Sequence, residues 1–283
     1  MDKDADGTAC DYWYCIGAGS EVSAAPSRSR LLGVEIMATR AADRGVAVSA
    51  GERRLPVRER YGMIWTTLGT PERDVVDIPE ADEPDRRAVP CGAVTVNASG
   101  LRIVENFLDM AHFPFVHTGI LGAEPHTEVQ HYTTEIRRDV DEVWATNCAF
   151  FQPKAAMSAQ DGIMVQYMYR VATPFVTLLY KTSPNFANRW DVICLFVQPM
   201  EPARCRAHPL LLILDDGASE EALISFQQTI FLQDRIILEN QRPRLLPLEP
   251  RSEIPTRADA SSVAYRRWLK EKGITYGTVE GGP

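Results

Sequence analysis

Between residues 128 and 215 the chain offers one strand-like run after another, and a single long helical pattern follows directly behind them. That succession limits the fold more than any other feature. The runs are Val143 to Phe151, Gly162 to Val171, Phe175 to Tyr180, Val192 to Val197 and Leu210 to Leu214, spaced like a meandering antiparallel sheet. Behind them, Gly217-Ala218-Ser219-Glu220-Glu221 opens a helix with Ser219 as N-cap and two glutamates facing the positive end of the dipole. The pattern runs to about Gln241 and stops before Pro243, and a last helix is expected over Asp259 to Lys272. A sheet with helices before and after it, rather than between its strands, predicts an α+β helix-grip architecture and not a βαβ fold.

Upstream, Tyr12 to Thr70 reads as short strands, Leu31 to Ala38, Val46 to Val48 and Tyr61 to Leu68, with Gly45, Gly51 and Pro56 at turns. Pro71 to Pro90 is acidic and carries four prolines, which predicts a surface connection and a boundary near residue 85. The expected division is thus 1–85, a small β domain, and 86–283, the helix-grip domain. In Leu101 to His112 the residues Ile103, Val104, Phe107, Leu108 and Ala111 form a helical stripe, which Pro114 is expected to end.

At 283 residues, 45% hydrophobic and 24% charged, the chain can cover one core or two, which excludes a disordered or fibrous class. The net charge of -8 and the lack of a basic, aromatic-rich stretch argue against nucleic acid or an anionic membrane as partner. No apolar run approaches the roughly 20 residues that span a bilayer. Met1-Asp2-Lys3-Asp4 lacks the basic start of a signal peptide, so a soluble, cytoplasmic chain is expected. The six cysteines are scattered without a Cys-x-x-Cys pair and read as reduced thiols, Cys10 and Cys15 forming at most a loose metal pair.

Of five histidines, His112 and His117 share the segment Asp109-Met110-Ala111-His112-Phe113-Pro114-Phe115-Val116-His117. On an unbroken helix their rings would point about 140° apart, but a break at Pro114 lets them converge. Two histidines and one carboxylate, with other positions open, form the ligand set of non-haem Fe(II) oxygenases. Two separately hydrogen-bonded histidines are the alternative. For the carboxylate, Asp234 stands out, flanked on its helix face by Ile230, Ile237 and Leu238. Its partner is either Arg235, or a surface position on a tilted helix, or a metal. His126, His131 and His208 read as surface or loop residues.

The run Val104-Glu105-Asn106-Phe107-Leu108-Asp109-Met110-Ala111-His112-Phe113-Pro114-Phe115-Val116-His117 resembles the Asn-x-x-Asp-x-x-His-x4-His signature of Rieske-type ring-hydroxylating and demethylating oxygenases. Gln233-Asp234-Arg235-Ile236-Ile237-Leu238-Glu239-Asn240-Gln241 resembles the segment carrying that family's third iron ligand, and a weaker resemblance extends over most of the chain. It implies that His112, His117 and Asp234 hold a mononuclear Fe(II) that uses O2. It further implies that Asp109 bridges a neighbouring Rieske centre to the iron-bound histidine, with Asn106 the amide beside the iron.

The departure from the family is equally informative. Leu31-Leu32-Gly33 and Ala38 to Gly45 resemble the opening of a Rieske domain, and Pro56 to Trp65 its exit. Where the family places Cys-x-His and Cys-x-x-His around a [2Fe-2S] cluster, only Val46 to Arg54 remains, without Cys or His. A residual domain without its own cluster needs electrons from another chain. The resemblance to such truncated members implies a Rieske-containing reductase fed by NAD(P)H, a glutathione-transferase-like structural partner and a trimer-based complex. The implied reaction is N-demethylation of a methylxanthine at N7, releasing formaldehyde. Phe113, Gln227, Ile230 and Phe231 are the candidate pocket residues: apolar walls with an amide suit a flat heterocycle. Two other readings stand beside it: a catalytically inactive structural subunit, and a metal-free grip-fold carrier.

Overall fold

A computed structural model describes residues 7–42, 45–154, 162–183, 186–214 and 217–279. Met1 to Asp4 and the pair Asp43-Arg44, used above, lie outside the described residues. The chain begins with a one-turn helix, α1 (Gly7–Cys10), and continues through β1 (Tyr14–Ala18), β2 (Ser27–Leu31), β3 (Val34–Arg40), β4 (Val46–Ala50), β5 (Arg53–Leu55), β6 (Val57–Arg60) and β7 (Met63–Thr66). These form a four-stranded sheet in the order β2-β3-β4-β5 and a three-stranded sheet in the order β1-β7-β6. Two expected strands start two or three residues later than the sequence suggests, because their first residues form hairpin corners. Leu32 and Gly33 have φ of 48° and 82°, and Tyr61 and Gly62 have φ of 58° and 70°. Successive left-handed residues give the tight turn that matches strand twist. The Leu32-Gly33 corner docks on the larger sheet, its two N–H groups donating to the carbonyls of Pro199 and Met200 at 2.7 and 2.8 Å.

The expected surface connection ends differently. Val75 and Ile78 are buried, and Arg86 to Pro90 form strand β8, which pairs with the end of the main sheet. Its proline stands at the last position of an outer strand, where the missing N–H costs little. After β9 (Val94–Val96) come α2 (Gly100–Leu108) and a short helix α3 (Phe113–Val116). Then follow β10 (Thr133–Arg137), β11 (Glu142–Gln152), β12 (Ile163–Thr173), β13 (Val176–Thr182), β14 (Trp190–Glu201) and β15 (Arg204–Leu214), the long helix α4 (Glu220–Asn240), and α5 (Ala260–Lys272). The sheet has eight strands in the order β10-β11-β12-β13-β14-β15-β8, with β9 also pairing β15, every pair antiparallel. The meander and its covering helix are therefore as expected, in an α+β chain.

An N-cap opens α4, and two tethers fix it along the β8–β9 side of the sheet. Ser219 caps it by accepting from the Ala222 N–H at 3.2 Å. The Gln228 amide donates to the Cys91 carbonyl at 2.9 Å, and Glu239 accepts from the Asn97 backbone N–H at 3.0 Å. On the other flank α5 packs on β10, β11 and α2, and the Ser261 hydroxyl donates to the Leu108 carbonyl at 3.1 Å, occupying an acceptor that α2 leaves open at its end. Behind α2, the fully buried Arg102 pairs with Glu105 and Glu253, and Arg266 pairs with the same two carboxylates. Among the described residues no helix is long and apolar enough to cross a membrane.

Candidate metal centre

The ligand segment folds in two steps. Helix α2 stops at Leu108, earlier than the apolar stripe predicts, because Asp109 leaves the helical region with φ -89° and ψ 126°. One oxygen of its carboxylate accepts from the Ala111 N–H at 2.7 Å, a local Asx turn that replaces the next helical bond. The other oxygen reaches Nδ1 of His112 at 2.9 Å. Pro114 therefore does not end the first helix. It stands in the first turn of α3, where a proline loses no hydrogen bond and its fixed φ suits the helix. The break at 109–111 and the new helix axis together turn His117 back toward His112.

The two Nε2 atoms of His112 and His117 lie 3.2 Å apart. Asp234 Oδ1 sits 3.3 Å from the first and 3.0 Å from the second. Arg235 is not its partner, for it pairs with Glu239 at 3.1 Å. On α4, Phe231 and Leu238 are buried with Asp234, whereas Ile237 is exposed, contrary to the face expected from the sequence. From Asp234, positions i+3 and i+4 fall on opposite flanks of its face, and only the flank of Leu238 is turned inward.

Each imidazole is held at its far nitrogen. His112 Nδ1 faces Asp109, and His117 Nδ1 donates to Oε1 of Gln233 at 2.8 Å. With Nδ1 of both rings turned to Asp109 and Gln233, the Nε2 atoms are the ones left to face Asp234, and they offer lone pairs there once they carry no proton. Asp234 Oδ1 is buried and, among the described residues, takes part in no hydrogen bond of acceptable geometry. Three potential ligand atoms converging on one point fit a cation, which takes the place of the proton that His112 otherwise holds there. Burial disfavours the charged form of His112, yet Asp109 and Asp234 outweigh it and lift the pKa to about 9. Burial also acts to raise Asp234, but the two imidazoles hold it at about 2. Among the described residues these three form the one group of histidine, cysteine and acidic side chains able to hold a metal. Two nitrogens and a carboxylate oxygen match non-haem iron. Among the described residues Cys10 and Cys15 belong to no such group, and none of the six cysteines is in a disulfide.

A cavity of about 140 Å³ opens beside the centre. Asn106, Phe113, Gln227, Ile230 and Phe231 all line it, together with the three candidate ligands. A wider groove on the opposite side of His112 has Asp109 and Asn106 in its wall. His126 and His131 are exposed, as expected. His208 is not: it is 1% exposed within β15, and its Nε2 faces the Gln198 amide oxygen at 3.2 Å. β15 starts at Arg204, six residues before the expected Leu210, because Arg204 and Arg206 mask the alternation. Gln233, an amide beside an acid, and the cavity-lining strand residues Tyr167, Tyr169 and Lys181 have no motif that marks them in the sequence. The repeat Tyr167-x-Tyr169 is the one sequence sign of a shared inward face.

Residues 96–273, more than half of the chain, match the model of the vanillate O-demethylase oxygenase C-terminal domain. The chain is 50% identical over 275 residues to the probable methylxanthine N7-demethylase NdmC of Pseudomonas sp. (strain TJI-51), covering 96% of this chain and 97% of that protein. It is 26% identical to the methylxanthine N1-demethylase NdmA of Pseudomonas putida, over 77% of this chain but 60% of the relative's length. Among solved structures, NdmA of Pseudomonas putida CBB5 with caffeine matches with a TM-score of 0.78 at 18% identity, covering 96% of this chain and 93% of that one. Dicamba monooxygenase bound to 3,6-dichlorosalicylic acid matches with a TM-score of 0.73 at 16% identity, covering 93% and 97%. At such identities the structural likeness concerns the fold.

Proposed function

We propose a reaction for a chain whose family is plain: it belongs to the vanillate O-demethylase oxygenase C-terminal-domain family, among the Rieske-type non-haem iron oxygenases, a family that implies mononuclear iron and O2. The reaction is oxidative removal of an N-methyl group, with 7-methylxanthine as substrate and the methyl carbon at N7 as the atom attacked. Overall, the N-methyl compound, O2, two electrons and two protons give the free N–H, formaldehyde and water. The observation that carries the reading is the orphaned Oδ1 of Asp234 facing two imidazole nitrogens whose other ring positions are already bound.

His112, His117 and Asp234 would hold the iron. Bound there, iron supplies the activation of O2 that inserts oxygen into a methyl C–H bond. Asp109 orients His112 through its Nδ1 and stands at the groove from which a donor can approach. Asn106 lies between groove and cavity. Phe113, Ile230 and Phe231 exclude water and flank a flat ring, and the Gln227 amide meets its polar edge. The hydroxylated methyl group then leaves as formaldehyde when the carbon–nitrogen bond breaks and the nitrogen takes back a proton.

The electrons come from outside in this reading. Where cluster ligands would stand, the chain carries the β4–β5 hairpin, whose sequence Val46 to Leu55 holds no cysteine or histidine. Residues 1–85 are then a residual domain, and 86–283 the catalytic one. The donor is a Rieske-containing reductase, and a glutathione-transferase-like protein completes a trimer-based complex. The test is anaerobic loading with Fe(II), then 7-methylxanthine, O2, NAD(P)H and that reductase. The expected result is xanthine and formaldehyde in equal amounts, and neither when the reductase lacks its cluster. Iron-loaded protein that demethylates no methylxanthine contradicts the reading.

A further inference from the structure

The turn that carries Asp109 and leads into His112 is tied to the rest of the chain by little polar structure. Among the described residues, one hydrogen bond reaches the backbone of residues 107–111 from outside the segment 100–117: the Ser261 hydroxyl donates to the Leu108 carbonyl at 3.1 Å. Leu108 is the last residue of α2, so the bond sits one peptide before Asp109 leaves the helix. Ser261 is 1% exposed, and water does not compete for either partner.

Tyr132 sets the direction of that bond. Its hydroxyl donates to the Ala258 carbonyl at 2.6 Å and accepts from the Ser261 N–H at 3.1 Å. With the phenolic hydrogen given to Ala258, the Ser261 hydroxyl is left to donate to Leu108. The mount behind this pair is firm. Thr256 donates from its N–H and its hydroxyl to the Asp259 carboxylate at 2.6 and 2.9 Å, which fixes the entry to α5. Further along α5, Tyr265 donates to the Pro174 carbonyl at 2.7 Å and Trp268 to the Asp141 carboxylate at 2.9 Å. These bonds anchor α5 to the β12–β13 and β10–β11 corners, and Ser261 carries that anchorage to the end of α2.

We propose that Ser261, aimed by Tyr132, is a positioning residue for the metal centre: it holds the 109–111 turn in the shape that sets His112 and His117 about Asp234 before an ion arrives. The inference rests on the reading of these three residues as ligands and does not depend on the substrate. Without the tether, the turn samples shapes in which the two Nε2 atoms no longer converge. The apparent affinity then falls with the fraction of chains still competent to bind. The worth of one hydrogen bond bounds that loss at roughly three- to tenfold.

The experiment measures Fe(II) affinity anaerobically by competition with a chelator, and thermal melts with and without Fe(II), in wild type, Ser261→Ala, Tyr132→Phe and Ser262→Ala. Ser262, the next residue of α5, is the control, because it lines the outer groove instead. Ser261→Ala should bind Fe(II) roughly three- to tenfold more weakly, and a fixed Fe(II) concentration should raise its melting temperature by less than in wild type. Tyr132→Phe should move both readings in the same direction, and Ser262→Ala neither. A purely structural contact would lower the melting temperature with and without metal alike and leave the affinity unchanged. That result in Ser261→Ala overturns the assignment. Equal losses of affinity in Ser261→Ala and Ser262→Ala overturn it as well, since they report a loosened α5. If Ser261→Ala does not fold, Tyr132→Phe decides on the same criterion. Wild type that binds no Fe(II) overturns the metal centre and this inference together. Wild type that binds Fe(II) but demethylates no methylxanthine refutes the demethylase reading alone, and the affinities still decide Ser261.

Discussion

Gln233 and His117 meet at 2.8 Å, amide oxygen to ring Nδ1, one residue before the carboxylate that faces the same ring from its other side. Adjacent residues of one helix thus hold the ring from behind and share its front. The arrangement sets the tautomer of His117 and the direction of its lone pair.

Gln233→Leu should therefore keep the fold and weaken iron binding by roughly 10–100-fold, read as iron lost to a competing chelator. Gln233→Glu, which keeps an acceptor at the same reach, should retain the metal. Equal iron retention in the leucine variant and wild type counts against the tethering role.

Asp109 serves both the chain turn and His112. In protein saturated with Fe(II), Asp109→Ala should lose reductase-driven turnover per iron by roughly 10–100-fold or more, while Asp109→Asn preserves the turn through its remaining acceptor. Normal donor-driven rates in Asp109→Ala would remove this residue from the electron path.

Gly122 packs under the ligand turn. A Cβ added there would come within 2.6 Å of the Pro114 nitrogen, a backbone atom that cannot yield without moving α3. Gly122→Ala is expected to destabilise the chain by about 1–3 kcal/mol and to lower iron occupancy, measured by thermal melts with and without Fe(II). A neutral outcome in both would mean that the turn is softer than its packing indicates.

His208 gives a pH dependence of known sign. Burial, helped by the Arg206 charge, lowers its pKa from 6.5 to about 3. The folded state thus keeps the ring neutral while the unfolded chain protonates it. Its contribution is intact above about pH 6.5 and is lost as the pH falls toward about 3. His208→Leu should flatten the acid limb of the stability curve over that window. It should also lower stability at pH 8, because Gln198, which tethers Ser29 and the Arg30 carbonyl, loses a partner. An unchanged slope in the variant would place the acid sensitivity elsewhere.

The meander and α4 were legible in the sequence because alternation and helical periodicity there are strong and local. Asp109, His112 and His117 were legible because they lie in one short segment. The exact helix end was not, since an apolar stripe says nothing of the Asx turn at Asp109, and a proline looks alike as terminator and as first-turn residue. Strand β8 was hidden by its arginines, whose guanidinium groups reach the backbone carbonyls of Trp190 and Ala218 rather than water. Lys181 and Gln233 were silent for a different reason. Their surroundings come from residues tens of positions away, and only the folded sheet and α4 bring these to the cavity.

The most direct measurement is iron and acid-labile sulfide per chain after anaerobic reconstitution, with His112→Ala as control. About one iron, no sulfide, and loss of that iron in the control are expected for a mononuclear site fed from outside. Labile sulfide in stoichiometric amount would contradict external supply of the cluster. Iron absent from the wild type, or retained unchanged in His112→Ala, would contradict the metal centre itself.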